Sequence, residues 1–239
     1  MNYYFITGTS SGIGFALTEQ LLQQENTFVY GISRRNKFTH PNYQHHVINL
    51  GNMNEVNAFE FPELTDATKI VLINNAGQIG DIKPIGKSNN NAIADLFTVN
   101  VTAPVILMNN FIARYENLKT EKIILNVSSG AGKSAIEGWA PYCGSKAAID
   151  LLSSTTFEEQ KRVTNPVKIY SIAPGVVDTE MQVAIRNSNE TDFSKHAHFV
   201  DLKANNELTS PTEVAEKYLR IIKNSDQFSD CIFSLRDLK

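Results

Sequence analysis

Tyr142 and Lys146, in the string Tyr142-Cys143-Gly144-Ser145-Lys146, are the pair in this chain best suited to moving a proton. A phenol has an ordinary pKa of about 10, too weak an acid for easy transfer near neutrality. Positions i and i+4 of a helix share a face, so the Lys146 ammonium would lie beside the ring, where positive charge favours the phenolate. Thirteen residues before the tyrosine, Ser129 closes Asn126-Val127-Ser128-Ser129 and offers a hydroxyl donor. Tyr-x3-Lys also arises by chance, and Cys143 within it reads as a packing residue rather than a nucleophile.

A second feature is suited to an anion. The string Thr7-Gly8-Thr9-Ser10-Ser11-Gly12-Ile13-Gly14 follows the first apolar run directly. Gly8 lets the chain turn off a strand, while Gly12 and Gly14 let backbone approach a pyrophosphate at the N-terminus of the next helix. Ser10, Ser11 and Ile13 complete the expected cradle. The spacing is Gly-x3-Gly-x-Gly, and such a turn also serves simply to pack a helix on a strand. At the end of the second strand, an acid would hold the ribose 2′-hydroxyl of NAD. This chain has Ser33-Arg34-Arg35 there instead. Two arginines suit a phosphate, although a solvated basic pair is the plain alternative. Beside the glycine turn they point to NADPH, with Arg34 the main 2′-phosphate ligand and Arg35 secondary.

The elements that must hold these residues alternate along the chain. Tyr3–Thr7, Thr27–Ser33, His46–Asn49, Lys69–Ile73, Lys122–Val127, Val167–Ala173 and Cys231–Leu235 read as strands. Several are apolar at almost every position, as in strands covered on both faces. Gly14–Gln24, Ala92–Tyr115, Tyr142–Gln160 and Thr212–Lys223 carry helical spacing, and Asn54–Phe61 carries it more weakly. Ser210, Pro211 and Glu213 form a helix start signal with a capping box. The pattern predicts an α/β fold, a doubly wound parallel sheet of about seven strands with helices on both faces. With no repeat or linker, residues 1–239 read as one domain. Ser88-Asn89-Asn90-Asn91 reads as a polar loop, and the polar stretch 179–208 as a segment covering the substrate at the strands' C-terminal edge.

Composition narrows the setting. The 239 residues carry 22 Lys+Arg against 25 Asp+Glu, a net charge of −3, which supplies no basic surface for nucleic acid. The N-terminus lacks the apolar run of a signal peptide, and no stretch is read as the roughly 20 apolar residues of a membrane span. A cytoplasmic protein without nucleic-acid or membrane partners is expected. Two cysteines make no disulfide framework. His196 and His198 lack a suitably spaced third ligand, so no metal is expected.

Two more strings complete a pattern: Asn74-Asn75-Ala76-Gly77 after the fourth strand, and Pro174-Gly175 after the sixth with Thr179 just beyond. In this order the motifs resemble the short-chain dehydrogenase/reductase family over essentially the whole chain. The resemblance implies a Rossmann-type sheet in the order 3-2-1-4-5-6-7 and a carbonyl reductase acting on a small molecule with NADP(H). Tyr142 would protonate the developing alkoxide, Ser129 would orient the carbonyl, and Lys146 would also hold the nicotinamide ribose. Asn100 corresponds to an asparagine that kinks its helix and supports a water relay to the lysine, and Pro104 agrees with a disturbed helix. Asn49, Leu50, Asn75, Ala76, Gly77, Pro174, Gly175, Val177, Thr179 and Met181 join the implied cofactor contacts. Asn49 stands where an acid usually meets adenine, and its amide carbonyl can accept the same hydrogen bond.

The stretches Gly138–Cys143, Ala173–Gln182 and Leu202-Lys203-Ala204 look like the subgroup of sepiapterin reductases and bacterial benzil (diketone) reductases, NADPH-dependent enzymes of vicinal dicarbonyls. Ser129, Tyr142, Trp139 and Gln182 are the implied substrate contacts, although Trp139 reads equally as a packing anchor. Pterin reductases use an aspartate near the C-terminus. Here Ile232–Arg236 has no acid, and Asp237 falls two residues late, about 7 Å along a strand. Small α-dicarbonyls are therefore the expected substrates, with sepiapterin-like pterins as the alternative and a non-catalytic nucleotide sensor as a reading of another class. The family also implies a homodimer or homotetramer, assembled through Ala92–Tyr115 and Tyr142–Gln160.

Overall fold

Strand β1 (Asn2–Thr7) is flanked on both sides, by β2 (Thr27–Ser33) and by β4 (Lys69–Asn74), in the computed structural model, which describes residues 1–238. Beyond β2 lies β3 (Tyr43–Val47). Beyond β4 lie β5 (Glu121–Val127), β6 (Val167–Ala173) and β7 (Ile232–Ser234), all parallel, in the order 3-2-1-4-5-6-7.

Alternate residues of the central strands enter two cores. Phe5, Ile70, Leu72, Ile124 and Ile169 pack against α4 (Ala103–Tyr115) and Ile149 of α5 (Ala140–Gln160). Ile6, Val71, Ile73, Ile123 and Leu125 pack against α1 (Gly12–Leu22) and α8 (Pro211–Lys223). Burial on both faces explains the almost unbroken apolar runs. Helix α8 starts as its residues require: Ser210 Oγ accepts from Glu213 N at 3.2 Å, and Glu213 Oε2 accepts from Ser210 N at 2.9 Å.

Four expectations are corrected. Strand β3 ends at Val47 instead of covering His46–Asn49, because the polar segment Tyr43–Val47 is the one that pairs with β2 at the sheet edge. Ile48, read as part of the strand, and Leu50 turn into the core beyond it, ahead of α2 (Met53–Ala58). The single helix over Ala92–Tyr115 is α3 (Asn90–Phe97), a π-helical turn at Thr98–Thr102, and α4. Asn89 caps α3, its Oδ1 accepting from Asn91 N and Ala92 N, so Asn90 and Asn91 are helical rather than loop. Finally, Asn90–Tyr115 is long and apolar enough to cross a membrane by length and composition. Its apolarity has a core use, since Leu96, Leu107, Met108, Phe111 and Tyr115 are buried.

Phe111 is fully buried, with ring centroids 5.1 Å from Tyr115 and 5.5 Å from Phe61. Phe111→Ala is expected to cost about 3–5 kcal/mol, read as a lower urea midpoint at unchanged slope.

Candidate active site

Strands β1 and β4 are neighbours, but the chain leaves them toward opposite faces, and a crevice opens at such a switch point. A cleft of about 930 Å³ runs along this edge. Its floor is built by side chains that satisfy backbone. Thr7 Oγ1 accepts from Asn75 N and from Ala76 N, both at 3.0 Å, and Asn75 Nδ2 donates to Thr7 O at 2.9 Å. Gly8 (φ +75°) and Gly12 (φ +58°) take left-handed conformations that side chains resist. Ser11 precedes α1 without capping it, which leaves the first-turn N–H groups free for an anion.

Gly8, Ser10, Ser11, Gly12 and Ile13 line the cleft, as do Arg34 and Arg35, both exposed. So do Asn49, Leu50, Asn75, Ala76, Gly77, Pro174, Gly175, Val177, Thr179 and Met181. Gly14 does not. A Cβ there would collide with the Gly8 carbonyl oxygen and Asn75 Nδ2, so its role is to seat α1 on the turn rather than to admit a pyrophosphate. Asn49 Oδ1 already accepts from Gly51 N at 3.1 Å, leaving one lone pair for a ligand.

At the other end, Pro141 opens α5 and places Tyr142 and Lys146 on its buried face. Lys146 Nζ lies 5.8 Å from the Tyr142 ring centroid and donates to Val127 O at 2.8 Å. At the phenol the largest influence is burial. Burial pushes Tyr142 up to about 12, and the Ser129 hydroxyl pulls it back in part. Burial also lowers Lys146 to about 8, against the opposing pull of Asp150. Ser129 Oγ accepts from Ala131 N at 3.2 Å, so its own proton is free to point outward.

Asn100 lies in the π-helical turn, buried behind the cleft rather than lining it. Its Nδ2 donates to Gln78 O at 2.8 Å and Ser145 Oγ at 3.1 Å, and its Oδ1 accepts from Gln78 N at 2.9 Å. Both amide hydrogens are used within the protein, so a relay water would find only acceptors on Asn100, the second Oδ1 lone pair and the main-chain carbonyl.

The stretch 179–208 contains α6 (Glu180–Arg186) and α7 (His196–Ala204). Gln182 lines the cleft, buried, with Oε1 unpartnered. Trp139 does both things its sequence allowed: it lines the cleft and stacks on Phe193 at 5.2 Å, with its ring edge-on to Tyr142 at 5.6 Å. His196 ties α7 to α6 through Nε2 and Arg186 O at 2.8 Å. Strand β7 stops at Ser234, and a turn brings Asp237 back, with Oδ2 accepting from Ser234 N at 3.3 Å. Asp237 thus lines the cleft, and the expected 7 Å displacement along a strand does not apply.

Sequence reasoning missed Phe199 and Asp150, both in the cleft wall. No pattern marked Phe199. Asp150 lies one helical turn beyond Lys146, and i+4 spacing was its available signal; its Oδ1 accepts from Ser171 Oγ at 2.6 Å.

A doubly wound sheet with a glycine turn at its switch point and a buried Tyr–Lys pair beside a serine defines a nicotinamide-dependent oxidoreductase. The chain belongs to the short-chain dehydrogenase family, whose model, described as short chain dehydrogenase, matches residues 2–190. It is 36% identical over 241 residues to a benzil reductase ((S)-benzoin forming) of Bacillus cereus, covering 95% of this chain and 96% of the relative. A benzil reductase of Bacillus subtilis is 34% identical over the same share of each chain. Among solved structures, 4-hydroxyisoleucine dehydrogenase complexed with NADH superposes with a TM-score of 0.80 at 25% identity, over 98% of this chain and 96% of that one. The protein is therefore an oxidoreductase interconverting CH–OH and C=O groups with a nicotinamide cofactor. The residues fit that group: glycines open the turn, and unpaired N–H groups end α1 beside it.

A Lys146 pKa of about 8 sets a pH limit. Below it the ammonium is charged; above it the charge is lost. With Tyr142 still protonated, kcat/KM for ketone reduction is expected to be flat up to about pH 8 and then to fall about tenfold per pH unit. A profile from pH 6 to 10 checks this.

Proposed function

We propose that this protein is an NADPH-dependent reductase of small α-dicarbonyl compounds, with benzil-like aryl diketones its best substrates. The observation carrying this reading is one continuous cleft joining two arginines at the end of β2 to a tyrosine edge-on to an aromatic cluster. Arg34, with Arg35 secondary, would pair with the 2′-phosphate by charge-assisted hydrogen bonds. Trp139 and Phe199 would give an aryl group an apolar wall, and Gln182 a polar contact for the second carbonyl. The similarity to benzil reductases supports the substrate class.

The cofactor, when bound, supplies the hydride. The remaining work falls to the chain. Tyr142 Oη delivers its proton to the ketone oxygen, and Ser129 Oγ donates to that oxygen and orients it. Lys146, held at Val127 O, keeps a positive charge beside the phenol and the ribose. Asn100 fixes Gln78 behind them. The segment 179–208 excludes water from the reacting carbon. Residues 1–239 act as one domain, and Leu151, Leu152 and Phe97, exposed on the α3–α5 side, suit a homodimer or homotetramer. Asp237 in the cleft favours one second reading, a sepiapterin-type pterin reductase, because its carboxylate can accept from an amino-pyrimidine.

Arg34→Ala is expected to reduce the preference for NADPH over NADH by about 10- to 100-fold, the worth of a charge-assisted hydrogen bond. Equal use of both cofactors by the wild type defeats the assignment. Tyr142→Phe is expected to abolish turnover while cofactor titration shows NADPH binding intact. Under saturating NADPH, kcat/KM for benzil is expected to exceed that for sepiapterin by about tenfold; the reverse order selects the pterin reading.

A further inference from the structure

Beneath the Arg34–Arg35 loop lies a chain of hydrogen bonds that starts at Thr9 of the glycine turn and takes no part in the catalytic group. Tyr43, the first residue of β3, sends its hydroxyl under β2 to Thr9 Oγ1 in the glycine turn, 3.3 Å away, and to His45 Nδ1, 2.9 Å away. His45 Nε2 meets Ser33 O at 3.0 Å, and Ser33 Oγ donates to Arg35 O at 3.0 Å. Thr9 and Ser33 hydroxyls lie 3.2 Å apart. The space for this hydroxyl exists because residue 31 is glycine, where a Cβ would collide with the Tyr43 oxygen.

The protons can be ordered from donor and acceptor capacity. A carbonyl only accepts, so His45 carries hydrogen on Nε2 toward Ser33 O. Burial holds its pKa below the usual histidine value, leaving the ring neutral at pH 7 with Nδ1 as an acceptor. Tyr43 then donates to His45, and the one hydrogen of the Thr9 hydroxyl is shared between Tyr43 Oη and Ser33 Oγ. The far end of the loop is fastened by packing: Phe38 stacks on Phe15 of α1 at 4.7 Å and meets the Tyr43 ring at 5.3 Å. Both ends of the basic loop, at Ser33–Arg35 and at Phe38, therefore converge on Tyr43, while the arginines between them are exposed.

We propose that Tyr43, with His45, is a positioning residue for cofactor specificity, holding the exposed Arg34–Arg35 loop in the shape that grips a 2′-phosphate. Long exposed side chains lose rotamer entropy on binding a ligand. A backbone already fastened at both ends confines that loss to the arginines themselves. The inference rests on the reading that these arginines take the 2′-phosphate, and it adds a requirement which that reading lacks: the hydroxyl of a residue remote from the phosphate matters for NADPH and not for NADH.

The test is a fluorescence titration of NADPH and NADH with wild type, Tyr43→Phe, the double variant Arg34→Ala/Arg35→Ala, and the triple variant. Tyr43→Phe keeps the ring that packs on Phe38, so the fold is retained. The ratio of NADPH to NADH affinity is expected to fall about three- to tenfold in Tyr43→Phe, the size of one lost neutral hydrogen bond, with NADH affinity unchanged. With both arginines already replaced, removing the hydroxyl is expected to leave the ratio where it was. Absence of any wild-type preference for NADPH overturns the cofactor reading and this inference together. A wild-type preference that Tyr43→Phe leaves intact overturns the inference alone. So do equal losses for both cofactors, or a further fall in the ratio without the arginines.

Discussion

Everything in the cleft depends on how two parallel strands part company at their C-terminal ends. Where β1 and β4 release the chain to opposite faces, peptide groups next to the core lose their sheet partners, and burying them unpaired costs about 1–3 kcal/mol each. One threonine and one asparagine meet that demand, Thr7 accepting from two amides of the β4 exit and Asn75 donating back to the β1 exit. The clamp leaves no room for a side chain at Gly14 and crowds one at Gly8. Once the clamp is closed, the N-terminus of α1 faces the crevice, and Gly77 lies beside Lys146 and Asn100.

The Tyr142–Lys146 pair stands on a second polar set, inside the core. Asn126 of β5 accepts from Asn74 of β4 at 2.8 Å and donates to Ser153 of α5 at 2.8 Å. Asp150 of α5 is tied to Ser171 of β6. These bonds fix the rotation of α5 about its own axis, on which the aim of both Tyr142 and Lys146 depends. Burial then acts on the two groups in opposite senses, favouring a neutral phenol and weakening the hold of the ammonium on its proton. Tyr142 is therefore held neutral beside a Lys146 charge that neutral pH preserves and alkaline pH removes.

The segment over the cleft is held by different means. Its ion pairs, Lys203–Asp178 and Lys87–Asp192, include exposed partners and contribute little. Packing of Phe193 and Phe199 on Trp139 supplies the larger apolar contact. The same indole forms part of the cleft wall, so the residue that anchors this segment also shapes the space beside Tyr142.

Local chemistry determined much of this protein by itself. Strands buried on both faces must be apolar throughout, so the parallel sheet was legible, while its order came from the family resemblance. Turns with left-handed φ need glycine, and a capped helix needs Ser210 and Glu213, so these could also be located. What remained open had no local cause. The edge strand β3 is polar and owes its existence to pairing with β2. Phe193 and Phe199 sit in a segment whose composition signals only exposure, and they become a wall because Trp139 is beside them. Gly14 and Gly12 are alike in sequence, but only the neighbouring Gly8 carbonyl makes one of them a packing position. The pull of Lys146 on Tyr142 followed from helical spacing, yet the outcome was decided by desolvation. Desolvation depends on everything that surrounds a group, and no pattern of neighbours along the chain encodes it.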